Sequence, residues 1–226
     1  MSIRSAFDQE LEELRDNVLL LGSMVDTAIN RSIQALKERN QVQAQQIIAD
    51  DEKINQLRFK IEEECLGLIA RQQPAARDLR FIVAAMNIVL DLERMADHAA
   101  GIATIVLRMG DAPLLKPLID LPRMAQISQD MLRQSLDAFV SGNPEQALAI
   151  TQIDDEVDQL YTQIFRELIS FMIEDPRTVT RAMYLLFCAH NVERIADRVT
   201  NICERVVFVV TGRMEEIPSE PGSNVG

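Results

Sequence analysis

Two stretches of this chain place carboxylates one helical turn apart. One reads Asp91-Leu-Glu93-Arg94-Met-Ala-Asp97-His98, and the other reads Asn191-Val-Glu193-Arg194-Ile-Ala-Asp197-Arg198-Val-Thr-Asn201-Ile-Cys-Glu204. Residues at i and i+4 of a helix project from one face, so Glu93 pairs with Asp97 and Glu193 with Asp197. Like charges at that spacing weaken an isolated helix. A bound cation would account for keeping the arrangement twice. Asp51 with Asn55, and Asp154 with Asp158, repeat the same spacing earlier in each half.

On a helical wheel Glu193, Asp197, Asn201 and Glu204 form one stripe away from the apolar face, with Arg194, Arg198 and Arg205 flanking it. In the other copy Gly101 and Thr104 stand at the last two positions of that stripe. Oxygen-only donors of this kind suit a hard cation such as ferric iron, manganese, magnesium or calcium. The plain alternative is a solvated acidic face compensated by its arginines. His98 and His190 fall outside the stripe and read as ordinary polar residues, while Cys65, Cys188 and Cys203 lie on apolar faces and read as core.

The elements that carry these residues are helical. Leu11, Leu14, Val18, Leu21, Val25, Ile29, Ile33 and Leu36 recur at amphipathic-helix spacing. Asn40 caps a second run, which Pro74 ends, and a third runs from about Ala75 to Leu107. A loop at 109–120 carries Pro113 and Pro117. The pattern restarts near Leu121. Gly142-Asn143-Pro144 separates a fourth helix from a fifth, Asp175-Pro176 separates the fifth from a sixth, and Gly212 is the stop.

The two halves repeat. Shifted by 103 positions, 28–70 aligns without a gap with 131–173, matching Asn40 to Asn143, Ile47 to Ile150, Asp51 to Asp154 and Glu64 to Glu167. Shifted by 100, Glu93, Arg94, Ala96 and Asp97 match Glu193, Arg194, Ala196 and Asp197. The expected fold is therefore all-α, as two tandem three-helix bundles, each closing its own core. One bundle spans 1–112 and the other 113–212, with a disordered tail at 213–226.

Composition narrows the function. The 226 residues carry a net charge of −12 and are 47% hydrophobic and 4% aromatic. An acidic chain lacks the basic stripe a phosphate backbone calls for, which argues against direct nucleic-acid contact. No stretch has the length of a membrane span, the start has no signal-peptide pattern, and the three cysteines lack C-x-x-C spacing, so the expectation is a cytoplasmic protein. A di-metal carboxylate oxidase in a helical bundle uses Glu-x-x-His pairs, and here Ala96 and Ala196 stand at the histidine position. A helical scaffold without metal is the other alternative.

Gln73-Pro-Ala-Ala-Arg-Asp-Leu-Arg80, Asp91-Leu-Glu-Arg-Met-Ala-Asp97, Glu174-Asp-Pro-Arg-Thr178, Leu186-Phe-Cys-Ala189 and the Val-Glu-Arg-Ile-Ala-Asp run after it together resemble the PhoU family of bacterial phosphate-uptake regulators, over about 5–212. The resemblance implies a cytoplasmic, non-enzymatic and often dimeric protein that negatively regulates phosphate-starvation signalling. It implies as partners the ATPase subunit of the phosphate ABC transporter and a phosphate sensor histidine kinase. It also implies metal ions or multinuclear clusters on the bundle surface. By position the ligands would be Glu93, Asp97, Asp51 and Asn55 in the first half, and Glu193, Asp197, Asn201, Glu204, Asp154 and Asp158 in the second.

Overall fold

In a computed structural model, which describes residues 3–214, the chain forms seven α-helices: α1 (Ile3–Glu38), α2 (Gln41–Gln72), α3 (Ala76–Met109), α4 (Asp120–Ser141), α5 (Pro144–Thr151), α6 (Asp154–Glu174) and α7 (Val179–Thr211). The tail expected to be disordered lies outside the described residues from 215 onward. No strand occurs among those described.

The helix boundaries follow local chemistry. Asn40 and Asn143 each accept a hydrogen bond from the backbone N–H three residues on, Gln43 and Gln146, both at 3.0 Å. Gln73 ends α2 in a left-handed conformation just before Pro74. Asp175 accepts from the Arg177 N–H, and a 3-10 turn at Pro176–Thr178 leads into α7.

The sequence reading of one helix after Pro144 is corrected: the helix stops at Thr151 and restarts at Asp154. Ile153 N–H turns back to Ile150 and Glu156 N–H to Ile153, both at 3.0 Å. Asp154, Asp155 and Glu156 thereby occupy the first turn of a new helix, where the macrodipole favours acids, rather than a helix interior. In α2, the register-equivalent run Ile48-Ala-Asp-Asp51 passes through unbroken.

α1, α2 and α3 form the first bundle. α4, the α5–α6 pair and α7 form the second. Separate cores were expected, but the buried apolar side chains make one contiguous core through both bundles. α3 packs on α7 and α1 on α4. Both pairings are antiparallel: Asp91 meets Arg198 and Asn201, His98 meets Asn191, and Arg80 Nε donates to the Val209 carbonyl at 3.1 Å. The motif around Arg77–Arg80 thus ties the start of α3 to the end of α7.

A pseudo-two-fold axis relates the halves and passes near Met95 and Ile195. It takes the Asp91 contacts with Arg198 and Asn201 to those of Asn191 with His98 and Gly101. The α1–α4 contact follows the same symmetry: Asp26 accepts from Gln129, its register equivalent, at 2.8 Å and from Arg133 at 3.0 Å. Phe81 of α3 stacks on Phe139 of α4, centroids 4.8 Å apart.

Two glycines permit these crossings. A Cβ at Gly101 would stand 3.0 Å from Asn191 Oδ1, and one at Gly22 would stand 2.2 Å from Leu136 Cδ1. The loop between α3 and α4 is pinned, since Leu114, Leu115 and Leu118 pack against the core and Lys116 pairs with Glu167.

Gly22→Leu overfills the α1–α4 contact, and overpacking of this kind costs about 1–3 kcal/mol. Chemical denaturation should register that loss, and Leu136→Ala in the same chain should recover part of it.

Candidate carboxylate sites on α3 and α7

Because α3 and α7 lie side by side, α2 and α6 flank them on opposite sides. One carboxylate cluster sits in the α2–α3 groove and the other in the α6–α7 groove. The wheel placed both on a solvated surface. That is corrected by the packing: Glu93 is 13% exposed and Glu193 19%, while Asp97 remains exposed. The neighbouring helix covers the carboxylate flank that a single-helix projection leaves open.

The structure brings Asp154, Asp158, Glu193 and Asp197 together. Burial, then the charge of Asp158, pushes Asp154 up to about 7. Burial, then Asp197, pushes Glu193 up to about 7. Asp158 and Asp197 are raised as well, chiefly by burial, though Arg194 and Arg198 oppose the rise at Asp197. Asp154 Oδ1 and Glu193 Oε2 are buried and accept no hydrogen bond. Arg194 Nη1 reaches Asp197 at 2.5 Å, and His190 Nδ1 stands 3.4 Å from Glu193 Oε2. His190 therefore borders the cluster; the sequence reading set it outside the stripe, although at i, i+3 and i+7 it shares a face with Glu193 and Asp197.

The first-half cluster holds Asp51, Glu93 and Asp97, one carboxylate fewer, and Glu93 Oε2 is buried without a hydrogen bond as Glu193 Oε2 is. Asn55 donates to Asp51 at 3.1 Å. Arg94 spans Glu93 at 3.5 Å and Asp97 at 3.3 Å. Arg58 stands within electrostatic reach of Glu93. Burial still raises Asp51 and Glu93.

Asn201 faces the α3–α7 seam. The Asn201 amide donates to Asp91 Oδ1 at 3.1 Å across the α3–α7 seam, so it serves the helix pairing. Glu204 is half-buried nearly two turns beyond Asp197 and reaches Cys203 electrostatically. Asp91 itself is buried, raised by that burial, and opposed by Asn201 and Arg198. This seam pair was not singled out in the sequence. Its signal was present in the repeat, where Asp91 aligns with Asn191 and Asn201 with Gly101.

The donors that could hold a hard cation are the oxygens of Asp154, Asp158, Glu193 and Asp197, two of them buried and unsatisfied. Among the described residues no three His, Cys, Asp or Glu side chains stand in ligating geometry, so gathering them on an ion takes side-chain rotation. Ala96 and Ala196 are core residues, so no imidazole could enter at either position. The cysteines are free and buried, with Cys65 and Cys203 pushed up to about 12, which keeps them as thiols. No helix among the described residues is long and apolar enough to cross a membrane.

Comparison with known proteins gives this geometry a context. The PhoU domain model matches twice, over 18–106 and 121–206. A phosphate-specific transport system accessory protein PhoU homolog of Pseudomonas putida is 37% identical over 213 residues, covering 93% of this chain and 82% of that protein. The homolog of the same description in Clostridium acetobutylicum is 37% identical over 215 residues, covering 95% of this chain and 98% of that one. The crystal structure of PhoU from Pseudomonas aeruginosa superposes with a TM-score of 0.86 at 35% identity, covering 92% of this chain and all of that one. That of the phosphate transport system regulatory protein PhoU from Streptococcus pneumoniae gives 0.87 at 36%, covering 93% of this chain and all of that one.

The raised carboxyls set the sign of a pH dependence. A carboxyl whose folded value exceeds its unfolded value costs stability when ionised. The cost is absent below about pH 4, grows between about 4 and 7, and is fully present above 7 for Asp154 and Glu193. Asp154→Asn with Glu193→Gln should therefore stabilise the metal-free protein at pH 8, on the order of 3 kcal/mol after solvent screening. The gain should vanish by about pH 4.5, as read from denaturant midpoints at each pH.

Proposed function

This chain belongs to the PhoU family, and we propose that it acts as a non-enzymatic, cytoplasmic regulator of phosphate uptake and phosphate homeostasis. The observation that carries this reading is the match over 93% and 95% of the chain, with both halves as PhoU domains, to proteins described as accessory to phosphate-specific transport. The regulation is negative. The protein holds a phosphate sensor histidine kinase in its signal-off state while the ATPase subunit of the phosphate ABC transporter reports sufficiency. A regulator of this kind works by binding one state of its partner more tightly than the other. Two bundles in one chain, and two chains in a homodimer, raise the local concentration of binding surfaces.

Metal is the second part of the proposal. Asp154, Asp158, Glu193 and Asp197 would hold a hard cation, with iron first and manganese, magnesium or calcium as alternatives. The ion would neutralise the repulsion among these carboxylates and fix α6 against α7. Asp51, Asn55, Glu93 and Asp97 form a lesser set, with three carboxylates where the second half has four.

A deletion strain carrying a phosphate-starvation promoter reporter, grown in excess phosphate, should switch the reporter on, and the intact gene should switch it off again. A reporter that stays silent, in a strain with no second copy of the gene, would overturn the regulatory reading. Glu193→Ala with Asp197→Ala should abolish most bound metal by elemental analysis after dialysis, with helicity by circular dichroism unchanged. Metal content equal to that of the wild type would remove these residues from the site.

A further inference from the structure

The two grooves have diverged at the positions next to their carboxylates. In the repeat register Tyr161 on α6 corresponds to Arg58 on α2, and His190 on α7 corresponds to Leu90 on α3. The first half thus presents a guanidinium and an apolar side chain where the second presents a phenol and an imidazole. Arg58 offers charge to Glu93 and has no lone pair to give a metal. Tyr161 and His190 both do.

In the second half these groups adjoin the carboxylate cluster. Asp154, Asp158 and Tyr161 share one face of α6 at i, i+4 and i+7, and His190, Glu193 and Asp197 share one face of α7 at i, i+3 and i+7. The Tyr161 and His190 rings lie 6.3 Å apart, and His190 Nδ1 is 3.4 Å from Glu193 Oε2, a buried oxygen that accepts no hydrogen bond. Tyr161 is within electrostatic reach of Glu193.

We propose that Tyr161 and His190 are donors to the second-half site, making it a mixed carboxylate, imidazole and phenolate site selective for ferric iron. This rests on the metal reading above. Ferric iron is the hard cation among the candidates that favours an anionic phenolate, whereas magnesium and calcium gain little from it. On binding, the phenol O–H bond breaks, its proton leaves to solvent, and the phenolate oxygen bonds the iron without any change of oxidation state.

The chain has only two tyrosines, Tyr161 and Tyr184, which makes the test clean. Purified full-length protein is incubated with ferric nitrilotriacetate and desalted, then read for iron content and visible absorption. Wild type and Tyr184→Phe should bind iron and show a phenolate-to-iron charge-transfer band, and Tyr161→Phe should lose it. His190→Ala should keep the band, shift it, and weaken iron at least about tenfold, a loss of the size seen on removing groups that support a metal site. Bound iron with no visible band, or a band that survives Tyr161→Phe, would overturn the proposal while leaving a carboxylate metal site in place. Wild type that binds no iron would overturn both this proposal and the metal reading.

Discussion

The structure depends on α3 and α7 lying antiparallel at close range. At their crossing Gly101 leaves room for the Asn191 side chain. A Cβ at position 101 would push against that amide, and the His98–Asn191 hydrogen bond of 3.0 Å would have to shift with it. Once the two helices are paired, α2 and α6 can only flank them, α1 and α4 must close the opposite side, and one core runs through both bundles. Close helix–helix approach is thus the condition from which the position of every carboxylate follows.

The position is an expensive one. Asp154 and Glu193 lose hydration in the α6–α7 groove and gain like-charged neighbours, and both effects oppose folding with the groups ionised. The first half relieves the same problem by substitution: Asn55 stands where the second half has Asp158, and Arg58 where it has Tyr161. The relief is local and uses ordinary side chains, so the fold does not require the unrelieved version. Retaining four carboxylates against Arg194 and a half-exposed His190 is a local violation of the stability rules, and such violations concentrate at sites that bind something.

Much of this was legible in the sequence. The helical periods, the Asn40 and Asn143 caps, the proline breaks and the repeat itself are local signals, and the helices follow them. What a helical wheel did not carry is how far a neighbouring element covers each stripe. A wheel shows that Glu193 and Asp197 leave the core of their own bundle, but not that α6 closes over them. Asn201 sits in the acidic stripe by phase, and only the antiparallel pairing shows its amide given to Asp91. The helix break before Asp154 is a matter of degree: three successive acids favour a helix start, but the unbroken α2 at the equivalent positions shows that the repeat alone pointed the other way.

The pseudo-two-fold axis also links the two clusters, and it does so unequally. Asp91 meets Arg198 and Asn201 on one side of the axis, and Asn191 meets His98 above Gly101 on the other. The first side is a buried ion pair with an amide to satisfy it. The second is a neutral amide–imidazole contact, since burial holds His98 below its ordinary value. His98 nonetheless lies within electrostatic reach of Asp197, a carboxylate of the opposite half. The seam is therefore a path by which the charge of the second cluster acts electrostatically on a side chain of α3. Two identical halves in separate bundles would lack such a path. In this chain it exists because one antiparallel helix pair serves as the wall of both grooves.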